Sequence, residues 1–311
     1  MEVLNAYAKV AVLLFLYFLL SFSYQGIISV PSEGDSLAYH LPIARSVLNG
    51  SVFNPSRAGY ALEFYPGSAE LILAVLMLGN VPLNLYNVLG WVILTFLCFI
   101  LGRRYKLEVP VAIIYAVTAT TVMSLFRLLN NQTIDIWLAV FFTASWILLK
   151  SPAKSLRYFF LLGMVIGFLI GAKFSGPVYA LLLLLIYGRN LFKFLTPQRG
   201  IAFLIPFLIF GISWYFRNFY LTGNLLYPQQ FLFLPGNPRF HLMNWVGWQT
   251  LLLKPDGWFL MLIAFFSEYL LWFLTPVFAI IVWVKQRERS TFSKGYREVS
   301  LLSMLSFLLF F

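Results

Sequence analysis

Residues 10–20 of the chain read VAVLLFLYFLL, and residues 180–186 read ALLLLLI. Neither run contains a charged side chain, and neither alternates between apolar and polar residues as a strand of a membrane β-barrel would. A continuous apolar segment in contact with lipid must satisfy its backbone hydrogen bonds within itself, which a helix does. These runs therefore predict an all-α protein whose helices lie in a membrane.

The composition of the whole chain indicates the same class. Of its 311 residues, 61% are hydrophobic and only 11% are charged, whereas soluble domains carry roughly 25% charged residues. So few charges do not cover a water-exposed surface, and we expect a polytopic integral membrane protein. The single cysteine, Cys98, lies inside an apolar run, so the chain has no internal disulfide framework.

Apolar segments near the length of a bilayer crossing, about 17–25 residues, recur along the chain. We predict about nine spans in one transmembrane domain: 6–24, 83–102, 109–126, 134–149, 156–172, 174–188, 200–216, 258–284 and 299–311. The last of these would extend about 20 Å as a helix, less than a bilayer core of about 30 Å. We therefore expect residues 1–311 to be a C-terminally incomplete fragment.

The net charge of +11 is explained by topology rather than by nucleic-acid binding. With the N-terminus in the cytoplasm, most of the 22 Lys and Arg residues fall in inner loops, and most of the 11 acidic residues fall on or near the outer side. Basic residues accumulate in the cytoplasmic loops of membrane proteins. This distribution predicts a plasma (inner) membrane protein with a cytoplasmic N-terminus and no nucleic-acid partner.

Two outer loops are long, covering residues 25–82 and 217–257. Four apolar residues of the first loop recur at spacings that place them on one side of a helix: Leu37, Leu41, Ala44 and Leu48. We predict an amphipathic helix over 35–50, lying on the outer membrane face, kinked at Pro42 and ended by Asn49-Gly50. A second juxtamembrane segment is predicted over 68–79.

The first outer loop also carries a cluster of polar residues. Asp35 and Tyr39 are four residues apart and share one side of the predicted helix, and His40 follows. Asp35 either caps this helix or acts as a general base at the mouth of a membrane cavity. The spacing of these residues leaves both interpretations open.

Three charged residues lie at the outer ends of later spans. Asp135 opens the fourth span, where a carboxylate either favours the helix N-terminus or helps to bind a metal or orient an acceptor. Lys173 lies between two glycines, and either extends to the interface or meets a phosphate as a point charge. Arg217 leaves the seventh span among aromatic residues, and either anchors the helix there or forms a bidentate contact with a phosphate.

The segment Trp214-Tyr-Phe-Arg-Asn-x-x-x-Thr-Gly-Asn-x-x-Tyr-Pro228 resembles a signature of membrane glycosyltransferases of the GT-C fold. These enzymes are relatives of the aminoarabinose and protein O-mannosyl transferases. Further segments are similar to the same group and occur in the same order: Asp35-Ser-Leu-Ala-Tyr-His-Leu-Pro42, Phe64-Tyr-Pro-Gly67 with Glu70, Asp135 at the start of a span, and Gly167 to Lys173. The resemblance extends from residue 6 to about residue 230.

The resemblance implies an enzyme that takes a sugar from a polyprenyl-phosphate carrier. It passes the sugar, with inversion, to a lipid, glycan or protein acceptor on the extracytoplasmic face. Asp35 corresponds to the catalytic base of the group, and the expected substrate-binding residues are Tyr39, His40, Glu70, Asp135, Lys173 and Arg217. Lys173 and Arg217 are expected to meet the leaving phosphate, with Arg57 and Arg127 as alternatives.

The resemblance implies no certain cofactor, because some relatives bind a divalent metal and others bind none. Four residues are candidate metal ligands: His40, Glu63, Glu70 and Asp135. A transporter or lipid flippase is the alternative function, and a structural subunit is the third. Transporters tend to place their sites near the bilayer midplane, whereas the charged residues of this chain cluster at one face. A structural subunit would not need the outer cluster of acidic and basic residues.

Overall fold

A computed structural model describes residues 2–54, 61–151, 155–230 and 234–237, together with residues 258, 259, 263, 266 and 267. The regular elements of this part of the chain are all helical, which confirms the all-α class there. The predicted spans 258–284 and 299–311 lie almost entirely outside the described residues. So do Arg57 and most of the outer loop beyond residue 230.

The elements of the described chain succeed one another in this order: α1 Glu2–Ile28, a first π-helical turn Ser36–His40, α2 Leu41–Leu48, a 3-10 turn Ala61–Phe64, α3 Glu70–Leu78, a 3-10 turn Leu83–Leu85, α4 Tyr86–Arg104, α5 Val109–Thr120, α6 Met123–Phe126, α7 Asp135–Leu149, α8 Leu156–Ala172, α9 Gly176–Phe192, α10 Pro197–Phe207, a second π-helical turn Leu208–Ile212 and α11 Ser213–Thr222. Each of the first seven predicted spans coincides with one or more of these helices.

Three helical segments of the described chain are long and apolar enough to cross a membrane: Glu2–Ile28, Leu83–Arg104 and Pro197–Thr222. The remaining apolar helices are shorter: Val109–Thr120, Asp135–Leu149, Leu156–Ala172 and Gly176–Gly188. Length and composition thus indicate a membrane protein, and the full count of nine spans stays a prediction.

Helix α1 presents most of its apolar surface outward. Leu13, Tyr17 and Leu20 are each at least 65% exposed. Its opposite side packs on the rest of the molecule, for example through Phe15, whose ring centroid lies 4.6 Å from that of Trp91. A continuous apolar surface of this kind requires an apolar environment, as expected for a helix that faces lipid.

Helix α8 packs directly on α10 and the second π-helical turn through glycines spaced four residues apart. Residues at this spacing share one side of a helix. A Cβ atom on Gly163 would overlap the Phe203 carbonyl group, and one on Gly171 would overlap the Phe210 carbonyl oxygen. Small residues permit such close backbone approach in membrane helices. The contact places the end of α8, which precedes Lys173, beside the helix that carries Arg217.

The helix predicted in the first outer loop is present, but its apolar side is divided. Pro42 lies in the first turn of α2, directly after the first π-helical turn, and Gly50 ends the segment with a φ of +67°. Ala44 is fully buried, whereas Leu37 is 52% exposed. A π-helical turn accommodates an extra residue and so rotates the next helical residues about the axis, which separates Leu37 from the side that Ala44 occupies.

The span predicted over 109–126 is two helices rather than one. Thr120 and Thr121 donate their hydroxyl groups to the carbonyl oxygens of Ala116 and Val117, each at 2.8 Å. The carbonyl of Thr120 accepts a hydrogen bond from Trp91 Nε1 at 2.7 Å. Hydroxyl groups that bond nearby carbonyls compete with a continuous helix, so α5 ends at Thr120 and α6 begins at Met123.

Candidate functional site

Glu33 caps the first π-helical turn. Its carboxylate accepts hydrogen bonds from the backbone N–H of Asp35 at 3.0 Å, the N–H of Ser36 at 2.7 Å and the Ser36 hydroxyl at 2.8 Å. Partial burial raises the pKa of Glu33, but these three hydrogen bonds outweigh it and hold the pKa below its ordinary value. The turn that carries Tyr39 and His40 is therefore fixed at its start by Glu33.

Asp35 does not cap this turn. Its side chain makes no capping hydrogen bond, it is exposed, and no hydrogen bond or ion pair joins its carboxylate to another described residue. Burial is the main cause that raises the pKa of both Tyr39 and Tyr65, and the charge of Asp35 raises them further. Asp35 is thus an available carboxylate close to two tyrosines.

Those two tyrosines line a cavity of about 200 Å³ between the first outer loop and the adjoining ends of α7 and α8. The rings of Tyr39 and Tyr65 meet edge to face with centroids 5.3 Å apart, and Tyr65 meets Phe174 in the same way at 5.4 Å. Lys173 lines the same cavity. An aromatic wall with a cation beside it and a carboxylate nearby suits a polar ligand that has a ring and an anionic group.

Lys173 and Asp135 form an ion pair at this cavity. Lys173 Nζ lies 2.7 Å from Asp135 Oδ1, and both side chains are close to half exposed, at 46% and 45%. The pair joins the residue after α8 to the first residue of α7. Exposed pairs of this kind contribute at most about 1 kcal/mol, so an anionic ligand can compete with Asp135 for Lys173.

His40 and Glu70 form a buried pair behind the cavity wall. His40 Nδ1 lies 2.7 Å from Glu70 Oε1, and each side chain is 1% exposed. The second oxygen of Glu70, Oε2, has no hydrogen-bond partner, and the His40 ring packs on Tyr39 with centroids 4.0 Å apart. The sequence predicted that both residues bind substrate, but the structure places them beneath Tyr39, where they support the cavity wall.

Arg217 does not line the cavity that contains Lys173. It is 3% exposed and contributes instead to a small neighbouring cavity of about 50 Å³, shared with Glu63, and to an open groove on α11. Tyr65 connects the two regions, because its ring lines the first cavity while its carbonyl accepts a hydrogen bond from Arg217 Nη2 at 3.4 Å. Lys173 and Arg217 thus approach the site from adjacent cavities.

Ser68 holds these regions together, although the sequence did not predict a role for it. Its backbone N–H donates to the Gly171 carbonyl at 2.8 Å, its hydroxyl donates to the Phe210 carbonyl, and it accepts from Trp214 Nε1 at 2.7 Å. Tyr65 and Asn218 belong to the glycosyltransferase-like motifs, and Ser68 directly follows one of them. Their roles depend on contacts between distant segments, which the order of the motifs does not reveal.

The candidate metal ligands do not gather into one site. His40 pairs with Glu70, Asp135 pairs with Lys173, and Glu63 lines the small cavity beside Arg217. Across the described ranges, no group of three or more His, Cys, Asp or Glu side chains is arranged to hold a metal ion. Among the described residues, the candidate ligands are therefore paired or placed separately and do not form a metal centre.

Comparisons with models of protein families, with curated proteins and with solved structures find no match for this chain. The resemblance of its ordered motifs to GT-C glycosyltransferases therefore stays an expectation. A function for the chain rests on that expectation together with the chemistry of the residues around the two cavities.

Proposed function

We propose that the chain is a membrane glycosyltransferase that moves a sugar from a polyprenyl-phosphate carrier to an acceptor on the extracytoplasmic face. In this reaction an acceptor hydroxyl attacks the anomeric carbon while the bond from that carbon to the phosphate oxygen breaks. The phosphate leaves with the bonding electrons, and the hydroxyl proton passes to Asp35. Attack opposite the leaving group inverts the anomeric configuration.

The proposal rests on the Asp35 carboxylate, which is exposed and makes no hydrogen bond or ion pair with another described residue. A general base must have a carboxylate that is free to accept a proton from the substrate. Glu33 takes over the capping of the first π-helical turn, which leaves the Asp35 carboxylate exposed. Asp35 does not line the cavity itself, but its charge acts on Tyr39 and Tyr65, which do. The raised pKa of Tyr39 keeps its hydroxyl protonated, so it can donate a hydrogen bond to a sugar oxygen.

The leaving phosphate needs positive charge close by, because negative charge develops on it as the bond breaks. Lys173 supplies a cation in the cavity itself, where its half-exposed pair with Asp135 can be exchanged for a phosphate. When Lys173 moves to the phosphate, Asp135 is released and can orient the sugar or the acceptor. Arg217 supplies a second cation from the adjacent cavity.

The proposed topology is polytopic, with about nine spans, a cytoplasmic N-terminus and the site at the outer face of the plasma membrane. The three long apolar segments and the exposed apolar surface of α1 support membrane insertion. The excess of basic residues in the predicted inner loops supports this orientation. The membrane lipid is then both the surroundings of the protein and the source of its donor substrate.

The test uses the purified full chain in lipid nanodiscs with a panel of polyprenyl-phosphate sugars, and measures release of polyprenyl phosphate together with a glycosylated acceptor. Asp35→Asn keeps the size of the side chain and removes the base, so we expect a loss of about 10²–10⁴-fold in rate. Glu108→Gln is the matched control, because Glu108 precedes α5 on the predicted inner side, and it should retain activity.

Full activity in Asp35→Asn would refute Asp35 as the base. Lipid movement across proteoliposomes without any sugar transfer would instead favour a transporter or flippase, the alternative function. An inner-side location of Lys173 or Asp135, measured by labelling of introduced cysteines in sealed vesicles, would contradict the proposed sidedness of the site.

A further inference from the structure

Arg217 is a buried cation whose hydrogen-bond partners are all neutral. Its Nε and Nη2 donate to the side-chain oxygen of Asn218 at 3.1 and 2.9 Å, and Nη2 also reaches the Tyr65 carbonyl. Among the described residues, Arg217 forms no ion pair and its Nη1 has no hydrogen-bond partner. Buried charges are usually paired with an opposite charge, since an unpaired one is costly. Glu63 and Glu70 act on Arg217 through longer-range Coulombic attraction, but no carboxylate of the described residues forms an ion pair with its guanidinium, which leaves room for an anionic ligand.

Asn218 is held so that its oxygen faces Arg217. Its side-chain nitrogen Nδ2 donates to the Phe64 carbonyl at 2.8 Å and to the Tyr227 carbonyl at 3.1 Å, and the residue is fully buried. These two bonds occupy both N–H groups of the amide and leave its oxygen as the acceptor for the guanidinium. The orientation of Arg217 therefore depends on an amide that is itself fixed by two separate segments.

Arg217 also lines an apolar groove on α11. The groove has a volume of about 690 Å³, and the other residues that line it are Phe53, Ser213, Phe216, Phe219 and Tyr220. Phe53, Phe216 and Tyr220 are each more than 60% exposed. A single buried cation beside an open apolar surface matches an amphiphile that has one anionic head and an apolar chain, and the fork of Arg matches a phosphate.

We propose that Asn218 is a positioning residue that keeps Arg217 oriented and free of an ion pair, so that it binds the phosphate head of a single-chain lipid lying in this groove. The neutral amide matters in this arrangement, because a carboxylate in its place would satisfy the guanidinium and compete with the phosphate. This proposal rests on the proposed function only in identifying the lipid as the carrier of the donor sugar. Binding of the lipid itself can be measured without any sugar transfer.

The experiment measures equilibrium binding of geranylgeranyl phosphate and of geranylgeraniol to the full chain in detergent. The wild type should bind the phosphate at least tenfold more tightly than the alcohol. Asn218→Asp should remove most of this preference while leaving the affinity for the alcohol unchanged. A purely structural role for Asn218 would instead weaken both ligands together. Lys193→Gln, a basic residue at the end of α9, is the matched control and should retain the preference.

Asn218→Thr provides a second variant if Asn218→Asp does not fold. Threonine offers a neutral oxygen without a charge, so part of the preference for phosphate should remain. The proposal is overturned if the wild type binds both ligands equally, if Asn218→Asp retains the preference, or if Asn218→Thr removes it as completely as aspartate does. If phosphatidylglycerol competes as well as geranylgeranyl phosphate, the inferred preference for a single-chain lipid is wrong. If inorganic phosphate competes equally well, the inferred binding of the lipid chain in the groove is wrong.

Loss of sugar transfer and loss of lipid binding are separate outcomes. If no sugar is transferred but the phosphate preference depends on Asn218, the proposed function fails and the lipid site stands. If sugar is transferred but the preference is absent or independent of Asn218, the lipid site fails and the glycosyltransferase stands.

Discussion

Replacing Gly171 by alanine tests whether close packing of α8 positions the site. Gly171 lies opposite the second π-helical turn, at the point where Ser68 and Trp214 also meet. An added Cβ would overlap the Phe210 carbonyl oxygen and the Ser68 hydroxyl, and would lie 3.0 Å from Trp214 Cδ1. The first of these atoms belongs to the backbone, so the helices themselves must move apart.

The expected cost has two parts. Overpacking a well-packed interior costs about 1–3 kcal/mol, and leaving a buried hydrogen-bonding group of the Ser68 network unsatisfied costs about 1–3 kcal/mol more. Alanine recovers up to about 1 kcal/mol through its greater helix propensity. We therefore expect Gly171→Ala to lower the free energy of unfolding by about 1–6 kcal/mol. Arg217 should also lose its position, since Trp214 packs on its guanidinium at 4.9 Å.

Thermal unfolding of the purified chain in detergent measures this effect, monitored by the circular dichroism of the helices. Gly200→Ala on α10 is the matched control, because nothing lies within 4 Å of the Cβ added there. Its melting temperature should be equal to that of the wild type or higher, by the gain in helix propensity. If the melting temperature of Gly171→Ala equals that of Gly200→Ala and is not lower than that of the wild type, the inferred close contact between the backbones of α8 and the second π-helical turn is wrong.

Two further predictions concern the residues behind the cavity wall. His40→Leu and Glu70→Leu should each lower the free energy of unfolding by about 1–3 kcal/mol, because each leaves a buried hydrogen-bonding partner unsatisfied. The double variant should lose less than the sum, and additive losses in this double-mutant cycle would contradict the pair. The pKa of Glu33 is lowered in the folded chain, so its stabilisation is present above the ordinary value of 4.5 and lost as the pH falls through the folded pKa. Glu33→Gln should remove this acid-dependent loss of melting temperature, and identical pH profiles for variant and wild type would refute the capping role.

The helices were largely predictable from the sequence because their apolar runs are continuous and nearly uncharged. The predicted spans 134–149 and 156–172 match α7 and α8 within a residue. The break between α5 and α6 was not predicted, because it arises from hydroxyl groups that bond to carbonyls and from Trp91 on another helix. Apolar periodicity does not detect such local competition.

The site was predicted as a set of residue types but not as an arrangement. The order of motifs singled out Asp35 as the base and Lys173 and Arg217 as the cations that meet the leaving phosphate. The structure puts Lys173 and Arg217 in adjacent cavities and joins them through Tyr65. It also buries His40 with Glu70, which the sequence assigned to substrate contact.

The sequence by itself predicted the class of the fold and indicated an apolar environment for its helices. In lipid, a long uncharged apolar run can satisfy its backbone hydrogen bonds within itself as a helix, whatever its neighbours are. The tertiary structure alone decided which polar groups are paired and which are free, because that depends on atoms far apart in the chain. Glu33 takes the capping hydrogen bonds and leaves Asp35 free. Asn218, fixed by Phe64 and Tyr227, gives Arg217 a neutral partner in place of a carboxylate.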